Sequence, residues 1–156
     1  MSLEGAPRDH FVAEIEWDPN RRRARGRVTL RVRYAESDQM GVVFNAHYLT
    51  WFEIGRTELL RSAGTPYRSV EQRGLHLPLV EATLRLRLPI HYDDVIVIET
   101  WIDQLRSRVI SFSHNVLCDR HIAAEGTTRH ACVRAADGRT VAMPEWLSDE
   151  IRKLIA

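Results

Sequence analysis

Three hydrophobic rhythms succeed one another along the chain, and their order narrows the possible folds to a few. Val28, Leu30, Val32 and Tyr34 alternate with Thr29, Arg31 and Arg33, the two-residue period of a half-buried strand. From about residue 45 to 62 the period lengthens, so that Tyr48, Trp51, Phe52, Gly55 and Leu59 fall on one side of a helix. Leu49, Leu60 and Ala63 widen that stripe, and Gly64 followed by Pro66 ends it. Alternation then returns over residues 80–88, 95–102, 108–118 and 121–134, with a tight turn at Asp119-Arg120 joining the last two and a further turn signal at Asp137-Gly138. Pro144 with Leu147, Ile151 and Leu154 predicts a short C-terminal helix. One long helix before a run of antiparallel strands predicts an α+β domain, its broad apolar helix face covered by a curved sheet.

The 156 residues suit a single core. Residues 1–25 stand apart from 26–156: Gly5, Pro7, Pro19 and Asn20 punctuate them, and they end in Arg21-Arg22-Arg23-Ala24-Arg25. We expect them to form an appended, flexible arm on a domain spanning 26–156. Phe11, Val12 and Ile15 suit a short helix, while Phe11, Ala13, Ile15 and Trp17 suit a strand equally well, and periodicity leaves both open. The arginine run reads as a solvated tail, or else as a grip for phosphate or an acidic partner.

Basic and acidic side chains balance at 22 against 21, too even for a protein built to neutralise nucleic-acid backbones. No apolar run approaches the ~18 residues of a membrane span, and the acids near the N-terminus argue against a secretory leader, so a cytoplasmic protein without membrane partners is expected. Cys118 and Cys132 lack the spacing of a disulfide or metal pair, and the seven histidines show no ligand spacing, so no metal and no cofactor are expected. On the predicted outer sheet face, Val95, Val97, Trp101, Val109 and Leu117 add apolar area that a two-fold dimer would bury.

Chemistry concentrates at the joint between the first strand and the helix, Tyr34-Ala35-Glu36-Ser37-Asp38-Gln39-Met40-Gly41-Val42-Val43-Phe44-Asn45-Ala46-His47-Tyr48. Asp38 precedes the helix start, and Gly41 lets the backbone turn tightly. Amides of Val42 to Asn45 would face outward at the positive end of the helix, where they can stabilise a carbonyl oxygen that gains charge. A carboxylate beside such donors suits acyl transfer or hydrolysis. The plainer alternative makes Asp38 a turn cap and Asn45 a helix cap.

Asp38, Gly41, Val42, Val43, Phe44 and Tyr48 stand in register with the signature of hotdog-fold acyl-CoA thioesterases, and the stretch resembles that of the 4-hydroxybenzoyl-CoA thioesterase-like group, which includes short-chain enzymes of the Tol-Pal cluster. The similarity continues through Phe52-Glu53-Ile54-Gly55-Arg56-Thr57-Glu58, and covers about residues 29–155. The resemblance implies a five- or six-stranded antiparallel sheet wrapped around one long helix. It also implies assembly into a homodimer or a dimer-of-dimers tetramer, with active sites between subunits. Asp38 would act as general base or nucleophile on an acyl-CoA thioester, amides near Val43 and Phe44 would hold its carbonyl oxygen, and Gly41, Val42 and Asn45 would complete the contact. Tyr48, Trp51 and Phe52 would line a tunnel for the acyl group. Relatives carry His or Tyr where this chain has Asn45, which donates from its amide side chain instead or only caps the helix. The acyl carrier is left open between coenzyme A and an acyl carrier protein.

His47 reads as a solvent-facing residue of the first helical turn. Glu53, catalytic in another branch of these thioesterases, reads as an i,i+3 partner for Arg56. Cationic needs are met by 21 arginines and a single lysine, and Arg106 and Arg108 are the candidates for coenzyme A phosphates, by the family's pattern of contacts at a subunit edge. Competing readings are a non-catalytic hotdog domain that binds acyl chains or a protein partner, and a hydratase. The latter calls for a His where Val43 stands. Nucleic-acid binding through the arginine arm is the remaining alternative.

Overall fold

Two strands, β1 (Val12–Asp18) and β2 (Arg23–Arg31), form an antiparallel hairpin with Val12 opposite Thr29 and Asp18 opposite Arg23. The computed structural model describes residues 12–155; Phe11 and the Gly5 and Pro7 breaks lie outside the described residues. The expected arm therefore needs correcting over residues 12–25, which form β1, a turn and the start of β2, and the boundary placed after residue 25 falls inside β2. Of the two readings left open for this stretch, the strand is the one formed over residues 12–17.

A 3-10 turn, Tyr34–Glu36, leads by way of an irregular loop into α1 (Ala46–Ser62). The helix ends as its sequence signals: Gly64, at φ +89°, donates to Arg61 O over 3.0 Å, and Thr65 N reaches Leu60 O over 3.1 Å, so carbonyls of the last turn are satisfied. A short α2 (Tyr67–Gln72) and β3 (Leu75–His76) follow, neither marked by a periodic run long enough to read. Then come β4 (Leu79–Leu86), β5 (Val95–Leu105), β6 (Val109–Cys118), β7 (His121–Ala131), β8 (Val133–Arg134) and α3 (Glu145–Arg152). Asp119 and Arg120, both at positive φ, make the predicted tight turn between β6 and β7.

The main sheet has six strands in the order β1-β2-β5-β6-β7-β4, every neighbour antiparallel, and β3 pairs with β8 in a small second sheet. This is the hotdog arrangement, α+β, with α1 laid against one face of the sheet. Ile96, Ile98, Thr100 and Ile102 of β5 point at the helix, and Trp51, Phe52, Gly55, Leu59 and Leu60 of α1 point back, all of them buried. Apolar residues at helical spacing meeting apolar residues at strand spacing supply the main driving force for the fold.

On the opposite face the chain itself closes the expected apolar patch at Trp101, while Val97, Val109 and Leu117 stay half-buried and Val95 exposed. Trp101 is buried beneath the β1–β2 turn: the Arg21 guanidinium lies 3.8 Å from its ring centroid, and its indole N–H donates to Asp18 Oδ2 over 2.9 Å. Burial pushes the Asp18 carboxyl up, but donors from Trp101 and the Arg21 and Asn20 amides outweigh it and hold the group below the ordinary carboxylate value. Further exposed apolar area collects at the edge strand, on Leu79, Val80 and Leu86, and on Leu88 just after it. No helix among the described residues is long and apolar enough to cross a membrane.

Candidate functional site

Between β2 and α1 the chain folds back on itself as a narrow loop pinned at three levels. Phe44 N donates to Glu36 O (3.1 Å), Ser37 bridges to Val43, and Asp38 N donates to Val42 O (2.8 Å). Val42 also bridges to His91 and Val43 N reaches Ile90 O (2.8 Å), which ties the loop to the segment before β5. Gly41, at φ +79°, takes the left-handed conformation that the turn requires and that a side chain would strain.

Asp38 sits half-buried at the turn. Its Oδ1 accepts the amides of Met40 (2.8 Å) and Val42 (3.3 Å), an Asx turn that orients the carboxyl group and leaves Oδ2 without a donor among the described residues. The turn-capping alternative therefore describes one oxygen of the carboxylate and not the other.

Three of the amides assigned to a carbonyl oxygen are already occupied, those of Val42, Val43 and Phe44. The donors that remain lie one step further on. Among the described residues no acceptor meets the amides of Asn45 and Ala46, which open α1. Asn45 makes no side-chain cap bond, so its amide group is free for another partner. With Phe44, Ala46, Leu49 and residues 82–84 of β4 it lines a groove of about 270 Å³, apolar apart from Asn45 and Thr83.

Several expected site residues lie elsewhere. Tyr48, Trp51 and Phe52 do not line a tunnel: at 2%, 0% and 0% exposure they are core, because the helix face that carries them is the face the sheet covers. Arg106 and Arg108 sit exposed in the β5–β6 turn, about 30 Å along β5 from its Asp38 end at ~3.3 Å per residue, so one chain does not bring them to Asp38. Glu53 is exposed and makes no ion pair with Arg56 among the described residues. Arg56 turns inward, and its Nη1 lies 3.1 Å from His130 Nε2. His47 stands edge-on to Phe44, 6.3 Å between ring centroids.

Two features escaped the sequence. Glu36, only 3% exposed, accepts from Arg33 N (2.8 Å) at Oε1 and from Trp51 Nε1 (2.8 Å) at Oε2. A polar spine crosses the core under the middle of α1: Thr100 Oγ1 lies 3.1 Å from His114 Nδ1, and His114 Nε2 2.9 Å from Thr128 Oγ1. Burial and the nearby Arg56 hold the His114 imidazole well below its ordinary pKa, and burial with Arg56 lowers His130 to about 4. The rule that buried polar groups need partners finds them once the fold is known, but in sequence each is one more polar residue.

Residues 32–151 match the Thioesterase-like superfamily. YneP of Bacillus subtilis (strain 168) is 32% identical over 122 residues, covering 75% of this chain and 88% of that one. YbgC of Haemophilus influenzae, named an acyl-CoA thioesterase, is 28% identical over 117 residues, 74% of this chain and 86% of its own. Among solved structures, the hypothetical protein TT1821 from Thermus thermophilus superposes with a TM-score of 0.76 at 36% identity, covering 81% of this chain and 98% of that one. The hairpin β1–β2 precedes the matched residues. From strand exit to C-terminal helix, the chain belongs to the thioesterase-like superfamily.

Proposed function

We propose that the protein hydrolyses acyl-CoA thioesters to the free acid and coenzyme A. The observation that carries the reading is a half-buried carboxylate with one uncommitted oxygen, held in the loop that delivers the chain to a helix whose first two amides have no acceptor among the described residues. Asp38 activates water or attacks the carbonyl carbon. The Asn45 and Ala46 amides, aided by the helix dipole, receive the charge that develops on the carbonyl oxygen. The thiolate leaves with the electrons of the broken C–S bond. The groove beside Phe44, Asn45 and Leu49 receives the acyl group. An acyl-CoA substrate accords with the name carried by YbgC.

A second copy completes the site. The β4 edge offers unpaired backbone and exposed Val80 and Leu86 beside the groove, a surface suited to antiparallel pairing with its own copy across a two-fold axis, as a dimer or within a tetramer. The free thiols Cys118 and Cys132 accord with a reducing, cytoplasmic setting.

The test is free-thiol release over aliphatic and aromatic acyl-CoAs, with acyl carrier protein thioesters as a second carrier, for the native protein and Asp38→Asn. The variant is expected to keep its fold and to lose on the order of 10² or more in kcat. Equal turnover in the two proteins moves the chemistry away from Asp38, and no turnover on any thioester in the native protein favours the acyl-binding alternative.

A further inference from the structure

Glu36 is a costly residue to bury. A carboxylate taken out of water is a weak source of stability even when fully paired, and an apolar pair at the same place would pack as well. What its contacts do accomplish is geometric. The carboxyl group joins strand exit to helix: Oε1 takes the Arg33 amide at 2.8 Å, with Arg33 Nε at 3.4 Å, and Oε2 takes the Trp51 indole N–H at 2.8 Å. The carbonyl of the same residue takes the amide of Phe44, the residue before Asn45. Two residues further along the chain stands Asp38.

One residue therefore holds three parts at once: the end of the strand, the second turn of α1 through Trp51, and the backbone just ahead of the uncommitted Asn45 amide. The helix cannot tilt or slide against the Asp38 loop without breaking a bond to Glu36. We infer that Glu36, with Trp51 as its partner, is the positioning element of the site and sets the Asn45 and Ala46 amides in register with the Asp38 carboxylate. The inference rests on the reading of Asp38 and those amides given above. Glu36 touches no substrate. It acts through the loop and the helix, and because a displacement of an ångström at reacting atoms is felt strongly in rate, its loss falls on turnover rather than on binding.

Two variants probe the clamp from its two ends. Glu36→Gln keeps the size of the side chain but turns one of its two acceptor oxygens into a donor, so that either Arg33 N–H or Trp51 N–H loses its acceptor. Trp51→Phe keeps an aromatic ring in the core and removes the N–H donor together with part of the indole's volume. In each variant that retains the native far-ultraviolet circular dichroism and a cooperative thermal transition, kcat is expected to fall on the order of 10- to 10²-fold with KM within about twofold. In an Asp38→Asn background, Trp51→Phe should add little to the loss, since the two changes disable one unit. Wild-type kcat in a folded clamp variant, while Asp38→Asn is inactive, overturns this inference alone, as does a full multiplicative loss in the double variant. Undiminished turnover in Asp38→Asn overturns the reading of the site and the inference with it.

Discussion

The imidazole of His114 lies parallel to the ring of Phe52, 4.4 Å between centroids and 8° between planes, so that the helix rests on the sheet through a stacked pair. Both nitrogens of His114 are occupied by threonine hydroxyls, one from each neighbouring strand. That geometry suits the neutral ring, which needs one donor and one acceptor partner, and hydroxyls can serve as either.

Acid should therefore loosen the fold through its buried histidines. The folded-state values of His114 and His130 lie below the unfolded 6.5, so the unfolded chain binds the extra protons first. Their contribution is complete above about pH 6.5 and is lost as the pH falls toward the His130 value of about 4, at ~1.4 kcal/mol for each unit separating folded and unfolded values. Thermal unfolding from pH 7.5 to 4 should show Tm falling below pH 6.5, and His130→Gln should flatten part of that slope. A Tm that is level across the range would mean that neither histidine is held neutral.

Gly55 lies where α1 crosses this spine. A methyl group there would overlap Thr100 Oγ1 and come within 3.0 Å of Ile98 Cγ2. Replacing a helix-interior glycine by alanine ordinarily gains up to ~1 kcal/mol of helix propensity. Overpacking here opposes it with about 1–3 kcal/mol, and the clash falls on a hydroxyl already bonded to His114. Gly55→Ala is expected to lower stability in denaturant titrations, against the usual sign for this substitution.

What could be read in advance follows from where each signal resides. The limits of α1 were legible because 17 residues of helical period end in Gly64 and Pro66, all local features. β1 was not, because seven residues fit two periods and its partner strand begins only after the turn. Asp38 and Gly41 could be singled out because the turn they form closes within five residues of chain. Glu36 and Trp51 could not be joined, since a carboxylate and an indole 15 positions apart reveal their bond only in three dimensions. Apolar side chains were placed correctly on the inner face of α1, but whether such a face meets substrate or sheet is decided by tertiary packing, and Tyr48, Trp51 and Phe52 meet sheet.

The hairpin that extends the sheet beyond the matched residues should be held by its contacts to Trp101. Asp18 supplies the acceptor for a buried indole N–H, whereas Arg21 supplies a ring contact and a 3.1 Å bond to Ser113 from an exposed position. Removing the acceptor leaves a buried donor unpaired, and removing the exposed cation costs on the order of 1 kcal/mol or less. Asp18→Ala should thus lower Tm more than Arg21→Ala and raise amide exchange over residues 13–18, with the β6–β7 amides unchanged. Equal effects of the two variants would place the hold elsewhere.

The β4 edge should decide both assembly and activity. Val80 and Leu86 are 57% and 54% exposed on a strand that has a partner, β7, on one side only, and residues 82–84 of the same strand wall the groove beside Asn45. An edge that is long and apolar invites pairing, and lysine is the residue that most simply forbids it, by charge and by the cost of its desolvation. The double variant Val80→Lys, Leu86→Lys alters no contact within the core, so the isolated chain should keep its circular dichroism. Sedimentation should then give the mass of one chain where the native protein gives two or a multiple of two. Thioester hydrolysis should fall about tenfold or more, because the groove loses the wall a second copy supplies and the reacting groups lose their fixed geometry. An unchanged assembly mass in the variant would assign self-association to another surface, and a true monomer with native turnover would make each chain a complete site.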